Sequence, residues 1–326
     1  MVSSNDVARL AGVSQATVSR VLNNPEKVNA PTIERVNDAI QQLNYRPNAA
    51  ARSLISRKSG IIALVCGPLE DPENAAFSGK AIAYAREAGF GTEIHIQDPH
   101  KPAAVFEAIV KTQAEGIIAG PLILVGRAME LLETSGIPYV FGGMAYQKAG
   151  HYVSMDNHAA GRMAADHICS LKHRIVGWLG GNAADPRLHD RYAGFLEKMK
   201  EQQVEILSAM GDIPDFDAVL SAMLARKNRP TAIVAATDAV GAYAIDFLID
   251  FGYSIPEDIT VLGIGNSKQS SMRYLNLSSI GLPEDRDVCR EAMEQLTSLI
   301  AGETEEDMQR ADIMPRLYQR WTSGPR

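Results

Sequence analysis

Cysteine is scarce in this 326-residue chain: Cys66, Cys169 and Cys289 stand far apart, form no CxxC pair and have apolar or helical neighbours. That excludes a disulfide framework and a thiolate zinc site, and leaves buried thiols in a reducing compartment as the expectation. Long apolar runs are missing too. Nothing approaches the ~18 to 20 residues a membrane helix requires, and the opening Met1-Val-Ser-Ser-Asn-Asp6 carries no basic-then-apolar signal segment. A cytoplasmic chain with no membrane partner is expected. The motifs of common catalysts are also lacking. Gly263-Ile-Gly265 has no third glycine for a dinucleotide loop, neither a phosphate-binding GxxxxGKS/T nor a GxSxG occurs, and the seven histidines show no HExxH. His158 and His167 read as helix-surface residues rather than ligands. No enzyme, cofactor or metal is expected.

Basic residues are outnumbered over the chain as a whole, which has a net charge of −7, but not at its start. Residues 1–58 hold eight Lys or Arg against four acids, for +4, which leaves −11 for the remainder. A basic head on an acidic body is the asymmetry of a protein whose head alone meets phosphate. The length suits one small domain beside a larger or bilobed one.

In the first sixty residues, Ser4 and Asn5 are N-cap candidates for a helix carrying Val7, Leu10 and Ala11 on one face, and Gly12 ends it. Ser14 caps a second helix, Gln15–Asn23, with Val18, Val21 and Leu22 inward and Gln15, Ala16, Ser19, Arg20 and Asn23 on the opposite face. A third helix, begun by Asn29-Ala-Pro-Thr32, buries Ile33, Val36, Ile40 and Leu43. Two helices joined by a tight glycine turn describe a helix-turn-helix. From shape alone, a small helical bundle without nucleic acid stays an equal alternative.

After Gly60, short β-rich runs at 61–66, 93–96, 116–119, 139–141, 174–178, 204–207, 232–235 and 260–264 alternate with alanine-rich amphipathic segments. The series runs once before and once after about Asp156. An α/β core of two similar parallel-sheet lobes is expected, with ligands beyond the carboxyl ends of the strands. The loops there, 68–77, 142–146, 156–157, 181–191, 237–238 and 265–267, contain Glu70, Phe77, Asp156, Asp185, Arg191, Asp238 and Asn266. Carboxylates, an amide, a guanidinium and an aromatic face suit a polyhydroxylated ligand.

The wording of two segments is more specific than their shape. DVARLAGVSQATVSRVLN at 6–23 and NYRPNAAARSL at 44–54 closely resemble the headpiece of the lactose/galactose repressor (LacI/GalR) family of bacterial transcriptional regulators. The resemblance implies that the helix starting at Gln15 enters the major groove. There Gln15 would pair with an adenine edge, Ala16 would meet a thymine methyl, and Arg20 would read guanine or hold a phosphate. Ser14, Thr17 and Asn23 would position the backbone, with packing or local bonding as the other reading of Thr17 and Ser19. It further implies a hinge helix that pairs with its dimer mate in the minor groove, Leu54 wedging between base pairs beside Asn48, Ala51 and Arg52; an ordinary linker is the alternative. The implied division is residues 1–46 as headpiece, 47–59 as hinge helix and linker, and 60–326 as a bilobed effector-binding and dimerisation core like that of periplasmic sugar-binding proteins. Residues from about 284 to 310 would cross back to the first lobe.

Within the core, Arg191-Tyr-Ala-Gly-Phe195 is similar to the family's Arg-x-x-Gly-Phe, whose arginine reaches the effector, and Phe216 falls where an aromatic stacks on it. Thr237-Asp238 and Gly263-Ile-Gly-Asn266 lie at family turns but depart from them, with Thr for Asn at 237 and Gly for an acid at 265. For Asp238 and Asn266, turn or capping duty is the competing role. The expected function is a repressor, homodimeric on a near-palindromic double-stranded operator, whose DNA affinity follows a small-molecule effector. A sugar or sugar phosphate is the first expectation for the effector and a purine or nucleoside the second. A solute-binding protein of transport would leave the basic head without a purpose. The carboxyl-terminal residues lack the heptads of a tetramer-forming helix, so a dimer is expected.

Overall fold

Ser3 starts the first helix one residue before the expected caps. In the computed structural model its hydroxyl accepts the Asp6 N–H at 3.3 Å, while the Asp6 carboxylate accepts the Ser3 N–H at 3.0 Å, a reciprocal cap. The structure describes residues 2–45, 59–124, 126–145, 150–181, 185–209, 216–303 and 310–326, in two units, Met1–Gly60 and Ile61–Arg326. In the first unit, α1 (Ser4–Ala11) ends at Gly12, whose φ of +66° is the left-handed turn a glycine makes without strain. Then follow α2 (Gln15–Asn23) and α3 (Ala30–Gln42), the latter capped by Asn29, whose side chain accepts from Thr32 N at 3.0 Å. Val7, Ala8, Ala11, Val18, Val21, Val36 and Ala39 form the miniature core. Leu10 was expected inside and is 49% exposed. With Val7, Ala8 and Ala11 turned to the core, position 10 lies outside their narrow stripe.

The second unit contains two sheets with the same winding. The first lobe runs β1 (Ile61–Cys66), α4 (Pro72–Glu87), β2 (Gly91–Ile96), α5 (Ala104–Ile109), β3 (Gly116–Ala119), α6 (Gly126–Ser135), β4 (Tyr139–Gly142) and β5 (Tyr152–Met155). The second runs α7 (Asn157–Ser170), β6 (Ile175–Leu179), α8 (Pro186–Glu201), β7 (Glu205–Ala209), α9 (Phe216–Leu224), β8 (Ala232–Ala235), α10 (Asp238–Asp250), β9 (Thr260–Ile264) and β10 (Ser278–Gly281). The chain then returns to the first lobe for α11 (Val288–Ala301) and β11 (Arg310–Ile313), and ends in the second with β12 (Arg316–Tyr318). The strand orders are β11-β5-β4-β3-β1-β2 and β12-β10-β9-β8-β6-β7, parallel except that β12 runs against β10. Apolar clusters cover both sheets, which is why central strands such as β1 and β8 are unbroken apolar runs rather than alternating ones.

Three short connections therefore join the lobes, at 156, 282–287 and 314–315. The return segment extends past residue 310 because β11 pairs with β5, from Arg310 beside Tyr152 to Ile313 beside Met155. Strands β5, β10, β11 and β12 gave no sequence signal, being three or four residues long and carrying Ser, Gly, Arg or Asp in place of an apolar run. His167 corrects another expectation: it is buried, and its Nε2 lies 3.0 Å from Ser323 Oγ. Beside it, His173 contacts Thr231 Oγ1 at 2.9 Å and the Gly324 carbonyl at 3.1 Å, so the carboxyl-terminal segment is strapped onto the second lobe. Among the described residues no helix is long and apolar enough to cross a membrane, and no group of three His, Cys, Asp or Glu is arranged to hold a metal ion.

Candidate functional site

Two surfaces collect the candidate residues, and the first is the outer face of α2. Ser14 Oγ accepts from Thr17 N at 3.2 Å and lies 2.9 Å from Thr17 Oγ1, which fixes the start of the helix. Val18 and Val21 are buried beneath it, so Gln15, Ala16 and Arg20 are exposed while Thr17 and Ser19 are half-buried. Gln15 Nε2 reaches Ser4 Oγ only at 3.5 Å, leaving its amide available for another partner. Asn48, Ala51, Arg52 and Leu54 lie outside the described residues, as does the side chain of Asn23.

The second surface lies where the strand ends of the two lobes meet, and it begins with a repeated turn. Asp71-Pro72-Glu73 opens α4 after the first strand of lobe one; Asp185-Pro186-Arg187 opens α8 after the first strand of lobe two. Each Asp caps its helix, accepting from Glu73 N at 2.7 Å and Arg187 N at 2.9 Å, and each Pro occupies the first helical position. The third residues of the two turns meet: Arg187 Nη1 donates to Glu73 Oε1 at 2.7 Å across the lobes. Arg187 also holds Asp185 with two bonds, Nε to Oδ1 at 3.1 Å and Nη2 to Oδ2 at 2.7 Å. Burial works against the Arg187 charge, but Glu73 and Asp185 outweigh it and raise the pKa. Burial likewise pushes Asp185 up, and the adjoining guanidinium more than reverses this, holding the carboxyl below its usual range.

Arg191 sits one turn along α8 and is buried. Its Nε donates to Asn157 Oδ1 at 2.9 Å and its Nη1 to the Ala236 carbonyl at 2.7 Å, tying it to α7 and to the carboxyl end of β8. The small residue in Arg191-x-x-Gly194-Phe195 has a mechanical reason. A Cβ on Gly194 would overlap the His158 carbonyl, and one on Gly161 the Arg191 carbonyl, so α7 and α8 touch backbone to backbone. Phe195 is fully buried with its ring centroid 4.8 Å from that of Trp178. The motif thereby presses α8 onto α7 and aims Arg191.

The remaining candidates occupy separate niches. Asp238 is buried, accepting from Ser267 N and Ser279 Oγ, and Ser279 Oγ in turn accepts from Asn266 N at 2.9 Å. Asn266 Oδ1 accepts from Arg320. Asp156 caps α7 through Ala159 N at 2.8 Å, and Glu70 is exposed in its loop. Phe77 is buried beside Gly120 and Gly142 in the first-lobe core, and the Phe216 ring packs 5.2 Å from that of Tyr243. Sequence reasoning missed Glu73, Asn157, Arg187 and Arg320. The repeated Asp-Pro was the one available signal, but a third copy at Asp98-Pro99 keeps it from singling out Glu73 and Arg187.

Comparison with known proteins agrees with this layout. The model for bacterial regulatory proteins of the lacI family matches residues 5–48, and that for the periplasmic binding protein-like domain matches 165–323. The HTH-type transcriptional repressor PurR of Actinobacillus pleuropneumoniae is 27% identical over 330 residues, covering 98% of each chain. The Lac repressor dimer bound to operator and the anti-inducer ONPF superposes with a TM-score of 0.87 at 22% identity, over 99% of each chain. A complex of the transcriptional regulator CelR with cellobiose gives 0.71 at 26% identity, over 99% of this chain and all of that one (100%). With a helix-turn-helix presenting Gln15, Ala16 and Arg20 and a doubly wound core of two matched lobes, the chain belongs to the LacI family of bacterial regulatory proteins, and it is a DNA-binding transcriptional regulator rather than an enzyme.

Proposed function

We propose that the chain is a cytoplasmic, homodimeric repressor with three working parts. Residues 1–46 read a near-palindromic double-stranded operator, 47–59 supply the hinge helix and linker at its centre, and 60–326 sense a small molecule and dimerise. The observation that carries this reading is one chain holding both a capped helix with Gln15, Ala16 and Arg20 outward and a lobe junction lined by Asp185, Arg187 and Arg191. Gln15 pairs with an adenine edge, Ala16 meets a thymine methyl, and Arg20 reads guanine or phosphate. Ser14, Thr17, Ser19 and Asn23 set the approach to the backbone, while Leu54 wedges the central step with Asn48, Ala51 and Arg52 beside it. Two headpieces on one site multiply the phosphate contacts and impose a half-site spacing.

The effector is a sugar or sugar phosphate, with a purine or nucleoside as the second reading; the solved complex of CelR with cellobiose supports the first. Arg191 is its principal contact, with Asp185, Asp156, Asp238, Asn266, Glu70, Phe77 and Phe216 around the strand ends. Binding closes or twists the lobes, and DNA affinity follows by linkage. The test is a thermal-melting screen of the full chain against sugars, sugar phosphates and purines, in which a ligand at 100 times its Kd adds ~2.7 kcal/mol. The stabilising compound is expected to change DNA affinity as well. A stabiliser that leaves DNA affinity untouched would overturn the linkage. Leu54→Ala is expected to weaken specific binding far more than nonspecific binding, and equal losses would remove the wedge.

A further inference from the structure

The first two helices of the headpiece begin in the same way. A serine stands at the cap and its hydroxyl accepts an N–H of the first turn, Ser3 from Asp6 N at 3.3 Å and Ser14 from Thr17 N at 3.2 Å. Each cap is fastened a second time, by Ser3 Oγ donating to Asp6 Oδ2 at 2.7 Å and by a 2.9 Å bond between Ser14 Oγ and Thr17 Oγ1. The residue after each cap is the first of its helix: Ser4 in α1 and Gln15 in α2. Val7, Ala8 and Ala11 of α1 share one buried cluster with Val18 and Val21 of α2, which fixes the two opening turns against each other. There the two first residues meet, Gln15 Nε2 donating to Ser4 Oγ at 3.5 Å, with Ser4 half-buried and Gln15 exposed.

A glutamine that pairs with a base edge gives up the rotamer freedom of a long side chain, and one already steered towards that edge gives up less. The bond to Ser4 steers without using up the amide. Its nitrogen carries two hydrogens, so one turned to Ser4 leaves the other for adenine N7 while Oε1 accepts from adenine N6. At 3.5 Å the bond holds loosely in water, and displacement of water from the groove strengthens it. Because Ser3 makes the cap of α1, loss of the Ser4 hydroxyl leaves that cap in place.

We propose that Ser4 is a specificity-determining residue of the headpiece, a positioning residue that aims the Gln15 amide at its base. The proposal rests on reading Gln15 as a base contact and adds the residue through which that contact is set. It is tested with the full chain. Sites are selected from a randomised DNA pool by the native protein, and dissociation constants are then measured for the selected site and its single-base variants with the native chain, Ser4→Ala, Gln15→Ala and the double variant. The base pair whose preference Gln15→Ala relaxes is the one Gln15 reads. At that pair Ser4→Ala is expected to reduce the native preference ~2- to 10-fold, the range for one neutral hydrogen bond. In the Gln15→Ala background the Ser4 substitution is expected to change nothing further. Ser4→Thr, which keeps a hydroxyl, is expected to retain the preference, and Ser4→Val, of the same shape without one, to lose it, so the comparison stands even if Ser4→Ala fails to fold. An equal loss in both backgrounds and at every sequence makes Ser4 a direct backbone contact and overturns the proposal, as does a native base preference in Ser4→Ala and Ser4→Val. If Gln15→Ala itself relaxes no preference, the reading of Gln15 fails and takes the proposal with it.

Discussion

At the scale of single residues, exposure separates those that read from those that hold. Gln15 is exposed and makes only one long bond among the described residues, so Gln15→Ala is expected to leave the melting temperature unchanged while costing ~1 to 3 kcal/mol of discrimination at one base pair per half-site. Binding to operator variants checks it, and an unchanged base preference would refute the contact. Ser14 holds: its hydroxyl caps α2, and Ser14→Ala is expected to destabilise the headpiece by ~1 kcal/mol in urea unfolding. Arg191→Ala is expected to remove the effector response with DNA affinity nearly intact. Arg191 was legible from its motif. Glu73 and Arg187 were not, because a loop's chemistry depends on which loop faces it from 114 residues away.

At the scale of elements, α8 is held from two sides. Gly161 and Gly194 let it lie on α7, and Gly161→Ala is expected to cost ~2 kcal/mol or more and to displace Arg191, visible as lost stability together with a lost effector response. The Glu73–Arg187 pair links the opening turns of α4 and α8 across the lobes. Because the Glu73 side chain is 55% exposed, Glu73→Gln is expected to weaken effector binding only ~2- to 5-fold and to raise the radius measured by small-angle scattering. Unchanged scattering and affinity would show that the pair does not help to close the lobes.

The carboxyl-terminal strap has its own pH dependence. Burial holds His167 and His173 below the ordinary 6.5, helped at His167 by the His173 charge and at His173 by Arg326, against the Gly324 carbonyl. The folded chain then binds fewer protons than the unfolded one, so stability is complete above about 6.5 and falls as pH drops from there through the depressed folded values. Urea midpoints between about pH 7.5 and 5.5 should decline with acid in the native chain and less in His167→Gln. Helices and central strands were readable because each buries a continuous apolar stripe or run. The strap and the short strand β10 were not, since Ser278, Ser279, Thr322 and Ser323 are buried through hydroxyl bonds that no apolar pattern reveals.

At the scale of the whole molecule, the two-lobe plan was legible in the repeated alternation of β-rich and helical runs. The return of residues from about 284 to the first lobe came from the family resemblance and not from any local pattern, because which sheet a short strand joins is decided by long-range pairing such as that of β11 with β5. Three connections that swivel together suit a switch with two arrangements of the lobes, whose difference in effector affinity sets how far DNA affinity can move. The most direct test of an effector-controlled, sequence-reading regulator is selection of binding sites by the full chain from a randomised DNA pool, repeated with Gln15→Ala. The account predicts enrichment of a near-palindromic site and relaxed choice at one symmetric pair of positions in the variant. No enriched sequence, or the same base preferences in both proteins, would contradict it.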